Sequence, residues 1–95
     1  MERLDTGNPV KTFTLDQLAK DVSARVVDCM ANSEPHSHEV VLRLMELGFL
    51  PGESVRVIAV GFPGADPLAV RVGQATFALR RHEAALVHIY IEELA

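Results

Sequence analysis

"LMELGFLPGESVRV", residues 44–57, packs the end of a helix, a sharp turn and the start of a strand into one short run. Upstream of it Val40, Leu44 and Leu47 recur at spacings of four and three, the period of one helix face, and Val41 and Met45 widen that stripe. Glu39, Arg43 and Glu46 repeat on the other side, where Glu39 and Arg43 are spaced to pair one turn apart. Gly48 follows the last periodic residue, at the place where a left-handed residue closes a helix and a Cβ is unwelcome. Pro51 stops the helix from resuming, and the residues after Gly52 alternate as a strand. Gly48, Pro51 and Gly52 are therefore read as a structural junction that fixes how the helix leaves a sheet, with Phe49 or Leu50 plugging the end of that sheet.

Working outward, the downstream half is strand-like over Ser54–Val60, Leu68–Val72, Ala75–Leu79 and Leu86–Ile91, with turn residues between. Gly73-Gln74 reads as the centre of a tight hairpin whose first position, glycine, suits a type II′ turn. Upstream, Ser23–Cys29 reads as a first strand, and Asn32, Ser33 and Pro35 break the chain before the amphipathic helix. Thr14 with Gln17 three residues later resembles a capping box and predicts a short helix over 14–20. Residues 1–11 lack periodicity and are read as a flexible tail, leaving 12–95 as a single domain. Short strands at this spacing predict a mainly β protein, a small closed or nearly closed five-stranded barrel with one inserted helix and a short N-terminal helix.

The chain has 95 residues, 48% hydrophobic and 23% charged, which suits one domain with one core and is too apolar for disorder. Its net charge is −4 and its largest basic cluster is the pair Arg80-Arg81, so the footprint of a nucleic-acid binder is missing. Four Phe, one Tyr and no Trp leave few rings for stacking on bases or sugars. The single cysteine, Cys29, has no internal disulfide partner and fits a reducing compartment. No apolar run reaches the length of a signal peptide or a membrane span, so a cytoplasmic location without membrane insertion is expected.

The runs R-L-M-E-L-G-F-L-P-G (43–52), D-P-L-A-V-R-V-G (66–73) and F-A-L-R-R-H-E-A (77–84) together resemble the FeoA family over about residues 15–91. That family comprises small cytoplasmic SH3-like β-barrel proteins associated with the bacterial ferrous iron transporter FeoB. The resemblance implies a non-enzymatic accessory protein of ferrous iron uptake that binds the cytoplasmic domain of FeoB and modulates it. Weak self-association is a separate expectation. FeoA-like domains also end iron- and manganese-responsive repressors, so a metal-responsive regulator, or a carrier of ferrous iron, acting in trans is the alternative.

No residue set announces catalysis. His38-Glu39 and His82-Glu83 each begin an H-E-x-x-H motif, but Leu42 and Leu86 stand where the second histidine belongs. Neither G-x-S-x-G nor a phosphate-binding G-x-x-x-x-G-K occurs. Glu34, His36, His38 and Glu39, with Cys29 nearby, form the candidate ligand set for a surface zinc or ferrous ion, although His36 and His38 converge only if the helix start is irregular. The competing reading is exposed histidines near a helix start, with no cofactor required. His88 is expected as a half-buried or exposed strand residue. Alternation sends Arg80 and Arg81 to opposite faces, where one pairs with Glu83 or caps carbonyls. The segment G-F-P-G-A-D-P, residues 61–67, places Phe62 and Pro63 among turn formers with Asp66, and these three are the candidate partner contacts. Phe62 folding back over the barrel end is the other option.

Overall fold

Antiparallel pairing organises the described residues around six strands: β1 (Thr12–Thr14), β2 (Ser23–Cys29), β3 (Ser54–Val60), β4 (Leu68–Val72), β5 (Ala75–Leu79) and β6 (Val87–Tyr90). Helix α1 (Ser37–Leu47) lies between β2 and β3, and a single helical turn, α2 (Arg81–Ala84), lies between β5 and β6. This computed structural model describes residues 11–91. The expected tail at 1–11 falls outside the described residues except for Lys11, as do residues 92–95 of the expected domain.

The sheet runs in the order β1-β6-β2-β3-β4-β5 and does not close, which corrects the expected barrel. Curvature comes instead from two bulges. On β2 an extra residue lies between Val26 and Asp28 against β6, and on β3 another lies between Val57 and Ala59 against β4. Each raises the local twist and curls the sheet around its apolar face. Along the strands Ala24, Val26, Val55, Val57, Leu68, Val70, Val72, Val87 and Ile89 are buried, the alternation expected of a sheet with one wet face.

Two further expectations are corrected. The helix at 14–20 is one 3-10 turn, Leu15–Gln17, and Thr14 makes no side-chain cap to it. Thr14 Oγ1 instead donates to the Asp16 carboxylate, so hydroxyl and acid satisfy each other within the turn. Thr12–Thr14 forms a sixth strand, paired with β6 at Thr12↔Tyr90 and Thr14↔His88, where no strand was expected. Three residues carry too little pattern to be seen alone, and β6 provides the template. The segment expected as a strand over Leu86–Ile91 is Val87–Tyr90, because Leu86 still closes α2 through its amide to Glu83 O at 3.0 Å.

The 44–57 junction is built as the sequence indicates. Gly48 sits at φ +113°, its amide on Met45 O at 3.1 Å, while the Phe49 amide reaches Leu44 O at 3.0 Å. These two bonds form the Schellman arrangement that satisfies the last carbonyls of a helix. Phe49 is fully buried and Leu50 is exposed, so Phe49 is the plug. Gly52, at φ +89°, is tied to β2 through its amide on Val26 O at 2.8 Å, and Arg25 Nη1 donates to Gly52 O at 2.8 Å. The Glu39–Arg43 pair is not the one used: Arg43 reaches Glu83 on α2 and Glu39 meets His36.

A Cβ on Gly48 would meet nothing within 4 Å, so the cost of a side chain there is conformational alone. Gly48→Val is expected to lose about 1–2 kcal/mol of stability, read as a lower urea midpoint with an unchanged slope. An unchanged midpoint would mean that residue 48 leaves the left-handed region at no cost.

Candidate functional site

The β3–β4 connection, residues 61–67, is the most distinctive surface feature, and its form comes from three braces. Gly61 N donates to Pro67 O at 2.8 Å, closing the base of the loop. A Cβ at Gly61 would stand 2.6 Å from both C and O of Asp66 and 2.7 Å from Pro67 O, so the two arms of the loop touch where only glycine fits. The third brace is Arg81. Its Nε donates to Ala65 O and its Nη1 to Asp16 O, each at 2.6 Å, while its backbone amide donates to Asp66 Oδ1 at 3.0 Å. One guanidinium thus joins the loop, the 3-10 turn and α2.

On this braced loop Phe62 is 96% exposed, and Pro63 beside it is exposed too. Phe62 does not fold back over the sheet end. Asp66 is placed differently: half-buried, with its carboxylate taken by the Arg81 amide, it shapes the loop from within. The three candidate contacts are therefore two solvent-facing residues and one support.

Arg80 and Arg81 do not alternate along a strand. Arg80 is the residue before α2 and its amide donates to Glu83 Oε1 at 2.9 Å, while Arg81 opens the helical turn and caps carbonyls as one of the two readings held. Glu83 standing three residues after Arg80, ahead of Ala84-Ala85, is the signal that could have revealed the turn. Four residues are too few for a periodic face.

The candidate metal ligands do not assemble. His36 precedes α1 in a left-handed conformation, φ +68°, and its Nδ1 lies 3.0 Å from Glu39 Oε1 in an exposed pair. Glu34 and His38 are exposed, and the Glu34 amide bonds to Asn32 Oδ1 at 2.9 Å. Among the described residues no three His, Cys, Asp or Glu side chains are grouped to hold an ion. Cys29 lends no ligand either. Its Sγ donates to Phe49 O at 3.4 Å, and burial, with the Asp28 charge adding to it, pushes the thiol up to about 11, so it carries little thiolate near neutral pH. The described residues thus do not fit a resident metal. His88 is half-buried on β6, its Nδ1 3.1 Å from Asp28 Oδ1 without hydrogen-bond alignment.

No described helix is long and apolar enough to cross a membrane. Among curated proteins none matches the chain by sequence. Solved structures do match. FeoA of Stenotrophomonas maltophilia, solved with zinc and described as an SH3 domain protein, is 40% identical, with a TM-score of 0.70 over 81% of this chain and 88% of that one. A FeoA protein from Chlorobium tepidum is 30% identical, with a TM-score of 0.71 over 85% of this chain and 71% of that one. T. acidophilum IdeR, at 16% identity and a TM-score of 0.69 over 92% of this chain and 37% of that one, shares the fold. The FeoA domain itself matches residues 13–91, from the edge strand through the end of β6. This chain belongs to the FeoA domain family.

Proposed function

We propose that this protein is a non-enzymatic, cytoplasmic accessory protein of ferrous iron uptake that binds the cytoplasmic domain of the FeoB transporter and biases it between states. Family membership supports the transport role, and the zinc-bound relative from Stenotrophomonas maltophilia is described as a candidate ferrous iron transport activating factor. The observation that carries the recognition reading is Phe62, 96% exposed on a loop held by Gly61 and Arg81. A large ring kept in water by a braced loop is already ordered for a partner, so little entropy is lost on docking.

A carrier of ferrous iron would need converging ligands, and the His36–Glu39 pair offers two at most. The recognition reading needs only the surface. Phe62→Ser is expected to weaken binding to the FeoB cytoplasmic domain roughly 30-fold, about 2 kcal/mol, while the thermal midpoint stays within about 2 °C. Calorimetric titration and thermal unfolding of the same variant check this. Unchanged affinity would remove the loop from the interface.

A further inference from the structure

The outward face of the sheet carries a row that crosses four strands: Ser23 lies opposite Arg56, Arg56 opposite Arg71, and Arg71 opposite Thr76. All four are exposed, while Ala24, Val55, Val57, Val70 and Val72 beside them point into the core. Two cations in direct register repel, and sheets ordinarily avoid the pairing. Here it is not neutralised. Arg56 Nη2 donates to Ser23 Oγ at 2.9 Å, and among the described residues neither guanidinium makes an ion pair. The Glu53 carboxylate stands at the rim, with Oε1 3.5 Å from where a Cβ on Gly73 would be, and it forms no ion pair with either arginine. Such a pair stands out in a chain with 13 acidic and 9 basic residues.

Ser23, Ser54, Val55, Arg56, Arg71 and Gly73 line a shallow cleft of about 200 Å³. We infer that this cleft receives a carboxylate side chain from an acidic segment of the protein partner. Each guanidinium offers a planar fork that matches a carboxylate, and an anion between the two removes their mutual repulsion as it binds. Two cations on a protein of net charge −4 are too few to hold a nucleic-acid backbone. The cleft and the Phe62 loop occupy opposite ends of the β3–β4 ribbon, with Arg56 and Val60 roughly 13 Å apart along β3. This inference rests on the partner reading above and adds the charge that the partner must present.

The test has two arms. The full chain, labelled with ¹⁵N, is titrated at low ionic strength with capped tetraglutamate and, separately, with inorganic phosphate. Saturable movement of the amides of Ser54, Val55, Arg56, Arg71 and Gly73 with the peptide is expected, with a midpoint about tenfold higher in Arg71→Gln. Absence of saturation, an unchanged midpoint in Arg71→Gln, or phosphate saturating the same amides at lower concentration than the peptide would each overturn the assignment. In the second arm the FeoB cytoplasmic domain is titrated with the wild type and with the Arg56→Gln, Arg71→Gln double variant, whose exposed substitutions leave the core alone. A loss of tenfold or more, and wild-type binding that weakens as salt rises, are expected. Equal affinity of the two proteins overturns the inference while the partner reading stands. Failure of the wild type itself to bind removes the partner reading, and with it the assignment to that partner.

Discussion

Phe49→Ala is expected to lower the stability of this protein by about 3–5 kcal/mol, the cost of emptying a fully buried aromatic site. Phe49 is anchored at both ends: its amide bonds to Leu44 O at 3.0 Å, and its ring centroid lies 6.4 Å from that of Phe77 on β5. Its carbonyl also accepts from Cys29 Sγ, so helix end, β2 and β5 meet on one residue. In a domain of this size such a loss shifts the thermal midpoint by at least about 15 °C. Leu50→Ala, next along the chain and exposed, is expected to change it by about 3 °C or less and serves as the control. Similar midpoints for the two variants would show that the plug belongs to neither.

Gly61→Ala is the second large effect, and its cause is close approach. Gly61 has an ordinary backbone conformation, yet its missing Cβ would collide with three backbone atoms of Asp66 and Pro67, none of which can rotate away. The two arms of the loop must part, which breaks the Gly61 N to Pro67 O bond and pulls Asp66 from the Arg81 amide. A loss of about 2–3 kcal/mol is expected, or roughly 12 °C in the thermal midpoint. Gly64→Ala in the same loop meets no atom within 4 Å and has only its φ of +85° to contend with, so about 1 kcal/mol is expected there. Denaturant unfolding of the pair separates steric from conformational cost, and equal losses would remove the close-approach argument.

The strands at Ser23–Cys29, Ser54–Val60, Leu68–Val72 and Ala75–Leu79 were legible because each alternates long enough to register, and turn formers bound them. The helix end at Gly48 was legible for a different reason, since only glycine suits a left-handed stop followed by proline. What was not legible depends on partners far along the chain. Thr12–Thr14 becomes a strand through β6, and Arg81 becomes a clamp through carbonyls of residues 16 and 65. Closure failed as an expectation because local alternation says nothing about whether the first and last strands of a sheet meet. Of the candidate site, the setting among turn formers put Phe62 in a loop but left its exposure and its folding back equally open, whereas the apposition of Arg56 and Arg71 exists only once the β3–β4 register is known.

The pairing of β1 with β6 has a consequence for how this fold travels between proteins. Because Thr12 lies opposite Tyr90, the start of the first described strand and the end of the last lie side by side toward one edge of the sheet. A unit with neighbouring ends can be spliced onto another by a single short tether without disturbing its interior.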